Sequence, residues 1–127
     1  MTQVESVFDT IPRKDPFRIF KGSQPDYHKV LDVLKFNKAD VAKASSVPLS
    51  SVRWDNKMPA ELEERVREWA VAIALVSEYF NDFDRTILWF GVQNPMLGGI
   101  SPRDMIRVGR FKKLIKFIQT ALGENKR

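Results

Sequence analysis

Cysteine is absent from this 127-residue chain, and histidine occurs once, at His28. The first absence excludes a disulfide framework, a thiolate zinc site, an iron–sulfur cluster and a thiol nucleophile, and it suits a reducing compartment. With a single imidazole and no thiol, no metal site and no cofactor are expected. A long apolar run is missing too. The longest, Trp69 to Val76, spans eight residues, against the roughly 20 that a membrane helix needs. The opening MTQVESVFDTIPRK lacks the basic-then-apolar order of a signal peptide, so the expectation is a cytoplasmic protein.

What remains has the make-up of one compact domain. Hydrophobic residues are 43% and charged residues 29% of the chain, with nine Phe, three Trp and two Tyr, values that disfavour disorder, collagen and a coiled-coil rod. The net charge of +5 is unevenly spread: residues 1–25 carry +1, 26–57 carry +2, 58–106 carry −4 and 107–127 carry +6. This is not the overall basic coating of a non-specific nucleic-acid binder, although 26–57 can still face phosphates.

Residues 1–25 hold Pro12, Pro16, Pro25 and Gly22 among Phe8, Ile11, Phe17, Ile19 and Phe20. Proline at that density rules out a long helix, and five large apolar residues predict an arm that docks on the body or on a second copy. Tyr27, Val30, Leu31 and Leu34 repeat at three and four, which predicts an amphipathic helix. Asn37 with Asp40 forms a capping box for the next helix, and Pro48 is expected to open a further short helix through Trp54. Pro59 and the acids Glu61, Glu63 and Glu64 start a long helix to about Phe80, central to the molecule or to its oligomer. Asn81 with Asp84 signals another cap, Gly91 ends that helix, Ser101-Pro102 restarts one, and a last helix from about Arg110 to Leu122 stops at Gly123. No segment alternates at period two, so the fold class is all-α: an arm (1–25), a helix-turn-helix lobe (26–58), and a long helix leading into a small helical toxin-binding and dimerisation domain (59–127).

The stretch Ala39 to Trp54 has helix-turn-helix spacing, with a turn at Ser45-Ser46 and Val47 and Val52 pinning the second helix. That helix would offer Pro48, Leu49, Ser50, Ser51 and Arg53 to a major groove, flanked by Lys38 and Lys57. Ser46 stands where glycine is commonest, and Asp55 where a buried apolar residue is usual. Plain scaffolding is the competing reading.

Trp89, Asn94-Pro95, Leu97-Gly98-Gly99, Ser101-Pro102, Asp104-Met105-Ile106 and Gly109, followed by an amphipathic helix, resemble the toxin-binding domain of the Xre/MbcA/ParS antitoxin family, over about residues 60–127. The resemblance implies a type II antitoxin, itself no enzyme, that occludes the active-site cleft of a RES-domain toxin (NAD-consuming or ADP-ribosylating) and binds its own operator DNA through the helix-turn-helix. A homodimer through the long apolar helix is expected, since a paired helix-turn-helix reads two half-sites. Candidate toxin contacts are Asn94, Pro95, Leu97, Gly98 and Gly99 in the motif, Lys113 and Lys116 on the terminal helix, and Lys126 and Arg127 in a tail suited to an anionic pocket. The motif has a structural alternative, because Pro95 and the two glycines can simply aim the next helix. The terminal helix is more basic than the family pattern.

Other features have blander readings. His28 is expected on a helix surface, the Glu61–Glu68 acids as first-turn and helix-surface partners of Arg65 and Arg67, and Trp54, Trp69 and Trp89 as packing anchors. The basic amphipathic terminal helix is expected to pack on the body rather than on a membrane. Rival functions are a stand-alone repressor without a toxin and a protein-only adaptor.

Overall fold

A computed structural model describes residues 14–125, with side chains as far as Gly123. Among the described residues the fold is all-α apart from one small hairpin. Strands β1 (Phe20–Lys21) and β2 (Gln24–Pro25) pair antiparallel, and helices α1 (Tyr27–Leu34), α2 (Lys38–Ser45), α3 (Ala60–Phe80), α4 (Phe83–Gly91), α5 (Pro102–Arg107) and α6 (Phe111–Asn125) follow. The first two helices form an N-terminal pair, α3 runs through the centre, and α4 to α6 form the smaller C-terminal cluster.

The arm, from residue 14 on, docks on its own body. The Asp15 carboxylate accepts from the amides of Ile19 and Phe20 at 2.9 and 2.8 Å, which folds the chain so that both side chains enter the core. The Lys29 ammonium donates to the Phe17 carbonyl at 2.6 Å, and the Phe17 ring lies 5.4 Å from that of Phe83 on α4.

The N-terminal pair is built by local chemistry. Asp26 caps α1, accepting from the Lys29 amide, and the expected capping box of α2 is complete: the Asn37 side chain accepts from the Asp40 amide at 2.8 Å while the Asp40 carboxylate accepts from the Asn37 amide at 3.0 Å. Ser46 closes α2 at φ 61°, in the left-handed region, its amide donating to the Ala42 and Lys43 carbonyls.

The expected helix from Pro48 through Trp54 does not form. Only Leu49–Ser51 makes a single 3₁₀ turn, and Val52 is already extended. Val47 and Val52 are both buried, so the two ends of the turn are held in the core. The chain between them, with two serines of indifferent helix propensity, has no room to propagate a helix.

Helix α3 is the central member. Pro59 stands at its cap, and Glu61 and Glu63 occupy its first turn. Every side chain from Trp69 to Ala74 is at most 2% exposed within the single chain. Helices of the same chain cover that run, so α3 is the centre of the molecule as its apolar pattern implies, with Leu75 half-buried.

Two end signals shift. Asn81 adopts the left-handed conformation that terminates α3, and Asp82, not Asn81, caps α4 by accepting from the Arg85 amide. Gly123 does not stop the last helix, which continues to Asn125. Ser101 caps α5 as expected, with Pro102 at its first position. Phe111, Leu114, Ile115 and Ile118 of α6 are buried, so that helix packs on the body. Among the described residues no helix is long and apolar enough to cross a membrane.

An ion-pair cluster is among the contacts that join the lobes. Arg107 of α5 reaches Asp40 of α2 with Nε at 3.1 Å, pairs through Nη1 with Asp104, and lays its guanidinium 5.4 Å from the centre of the Phe36 ring. Phe36 in turn meets Trp69 edge-on at 5.6 Å. Asp40 therefore caps α2 with one oxygen and holds Arg107 with the other.

Glu68 is the buried acid of α3, paired with Arg65 at 3.1 Å. Burial raises its pKa, and the Arg65 charge only partly opposes this. A raised carboxyl pKa in the folded state contributes stability that is present below the ordinary glutamate range and lost as pH rises through the folded pKa. Urea midpoints measured from mildly acidic to neutral pH should therefore move in favour of Glu68→Gln over the wild type as pH increases.

Candidate functional site

The C-terminal motif is organised by Asn94. Its side-chain oxygen accepts from the Met96 amide at 2.9 Å, and its carbonyl accepts from the amides of Leu97 and Gly99 at 2.9 and 3.0 Å. Its own amide donates to the Ile100 carbonyl at 3.1 Å, closing the loop as an isolated bridge. Pro95 opens the 3₁₀ turn Pro95–Leu97, and Gly98 and Gly99 follow at φ 82° and 87°, conformations that side-chain-bearing residues rarely adopt. The result is a fixed turn. Asn94 and Leu97 are half-buried, Pro95, Gly98 and Gly99 are exposed, and Met96 projects from the turn at 76% exposure.

The surrounding cluster is apolar where water would ordinarily demand polar residues. On α4, Thr86 and Phe90 occupy the buried stripe, which leaves Leu88 at 63% exposure, with Val92 also exposed just beyond the helix. Leu88, Val92 and Met96 were missed as surface candidates. The signal lay in Ile87-Leu-Trp-Phe90: four successive large apolar residues cannot share one helical stripe, so one must face outward. A groove of about 300 Å³ opens between the end of α3, α4 and α6, lined by Val76, Tyr79, Phe80, Trp89, Phe117 and Leu122 among others. Lys113 and Lys116 are exposed on α6. Lys126 and Arg127 lie outside the described residues.

The N-terminal candidates are placed differently. Lys38, Pro48, Leu49, Ser50, Arg53 and Lys57 are exposed and Ser51 is half-buried, but they surround a single 3₁₀ turn, not a helix long enough to lie in a groove. Arg53 is also engaged. Its Nε and Nη2 donate to the two oxygens of Asp55 at 2.7 and 2.6 Å, a parallel fork of the kind arginine uses on a guanine edge. Asp55 accepts in addition from the Lys57 amide at 3.0 Å, and the Arg53 guanidinium, followed by that amide, holds its carboxyl below the usual range.

The bland readings are also resolved by geometry. His28 is exposed on α1. Arg65 pairs with both Glu64 and Glu68. Trp69 is core, Trp54 stacks on Tyr27 at 5.3 Å, and Trp89 walls the groove. Among the described residues no three His, Asp or Glu side chains gather as a possible metal site. Compared with known proteins, the chain matches no family model and no curated protein sequence.

A methyl group added at Gly98 would meet no atom within 4 Å, so its effect isolates backbone conformation from crowding. Gly98→Ala is expected to cost about 1–2 kcal/mol of stability from the left-handed conformation alone, measured by urea denaturation.

Proposed function

We propose that this chain is a type II antitoxin: a cytoplasmic binding protein, not an enzyme, that occludes a RES-domain toxin through its C-terminal cluster. The observation that carries the reading is the turn held by Asn94, because it sets the exposed Met96 inside the Asn94–Pro102 pattern that resembles the Xre/MbcA/ParS toxin-binding domain. Leu88 and Val92 on the segment leading into the turn extend the exposed apolar surface, as a protein-docking face requires. Lys113 and Lys116 supply positive charge on the same cluster, and the tail with Lys126 and Arg127 is the segment that enters the cleft built for an anionic dinucleotide.

Operator binding is the second part of the proposal. Two copies would place Lys38, the Leu49–Ser51 turn and Lys57 on two half-sites. Base readout by Arg53 then requires it to leave Asp55, so free protein is held in a state of weak DNA affinity.

Capture of the N-terminally tagged chain from its native cells should recover a stoichiometric companion that consumes NAD once freed. Leu88→Asp with Met96→Asp should weaken that complex by about 2 kcal/mol or more, read by calorimetry. Recovery of this chain alone, with specific DNA retained, would replace the antitoxin reading with that of a stand-alone repressor. On operator DNA, Arg53→Ala should cost about 1–3 kcal/mol and relax base preference, whereas Asp55→Asn should tighten binding. Unchanged affinity in both variants removes Arg53 from the readout.

A further inference from the structure

The groove between the end of α3, α4 and α6 continues past α4. It shares Phe80 and Trp89 with a second recess of about 380 Å³, whose remaining walls are Arg85, Leu88 and Val92. The two form one apolar face with two hollows, parted by the side chains they have in common, and Leu88 and Val92 stand exposed at its edge. Charge on this face has one sign. Arg85 lines the second hollow, and among the described residues no acidic side chain lines either one. On α6, the groove-lining Phe117 is preceded by Lys113 one turn earlier and by Arg110 at the mouth of the helix, both exposed. Glu78 faces away, beside Lys14 and Pro16, and Asp84 shares the outer side of α4 with Leu88 without entering a hollow. Among the described residues Arg85, Arg110 and Lys113 take part in no ion pair.

We propose that this face receives an amphipathic helix of a partner protein whose apolar stripe is bordered by aspartate and glutamate. Two hollows side by side suit large apolar side chains one turn apart, which is how a helix anchors in a groove, whereas an acyl chain is served by one continuous channel. The border follows from charge. Arg85 on α4 and Arg110 with Lys113 on α6 meet complementary carboxylates on such a helix and repel a basic one. A second copy of this chain is the poorer match, because a two-fold axis through the face would set the same cations against one another. The inference deepens the docking reading above and rests on it only for the identity of the partner, since the face itself is tested without a toxin.

The probe is a displayed library of helical peptides, apolar at i, i+3, i+4 and i+7 and free to be acidic, basic or neutral at the flanking positions, selected on the full chain. Enriched sequences should carry Asp and Glu beside the apolar stripe. A synthetic peptide of the most enriched sequence should lose affinity by at least about tenfold on Arg85→Glu with Lys113→Glu, and a version with lysine in place of each acid should bind that variant better than the wild type. Val92→Asp should weaken the acidic peptide by about tenfold as well. These variants alter exposed side chains only, and urea midpoints check that they stay folded. Enrichment of neutral or basic helices, or an affinity unmoved by either variant, overturns the proposal. A chain that sediments as a dimer and dissociates on Val92→Asp also overturns it and gives the face to a second copy. Recovery of a NAD-consuming companion is a separate matter: its failure removes the antitoxin reading and leaves the peptide result standing, and the converse holds equally.

Discussion

The burial of the middle of α3 on all sides is the constraint on which the rest of the structure depends. A helix whose residues Trp69 to Ala74 are hidden all round cannot be satisfied by one partner layer, so the chain must return to it repeatedly: with α1 and the hairpin, with α2, with α4 and with α6. Each returning element contributes a narrow apolar stripe and keeps its other face for solvent. The arm is drawn in by the same demand. Ile19 and Phe20 fill space that the helices leave, and Asp15, by taking two backbone amides, makes that entry possible without stranding polar groups.

Much of this was legible in the sequence where local chemistry decides. Asn37 with Asp40, and Ser101 with Pro102, are signatures in which side chain and backbone settle a helix start within four residues, and both elements begin where the residues say. The apolar run of α3 could only be interior, although whether one chain or two would cover it depended on the lengths and faces of all the other helices. Helix ends were harder. Asn81 and Asp82 are both capping residues, and the distinction that Asn tolerates the left-handed conformation while Asp accepts an amide emerges only when both are used in succession. Gly123 costs helix stability by about 1 kcal/mol relative to alanine, too little to end a helix already carried by Phe111, Leu114, Ile115 and Ile118.

The candidate site was legible as a motif and not as a surface. Asn94, Pro95, Gly98 and Gly99 announce a tight turn, and the turn forms through the side chain and backbone of Asn94 together. Which apolar residues it would expose depended on tertiary burial of Thr86 and Phe90 on the preceding helix. At the other end of the molecule the reverse happened. Spacing suggested a second helix after Ser46, but two buried valines separated by four residues hold the chain to one 3₁₀ turn, and the proximity of Arg53 and Asp55 turned a prospective contact into an internal pair. Tertiary anchoring overrode a pattern that local spacing alone satisfies.

The sharing of Asp40 between a helix cap and Arg107 has a consequence for how signals could pass through the protein. Its two oxygens are committed to different lobes, and Arg107 is further fixed by Asp104 and the Phe36 ring, so rotation of one lobe against the other would strip a cap and an ion pair together. The shared carboxylate thus ties the start of α2 to the end of α5, so a substitution at Asp40 is felt in both lobes at once.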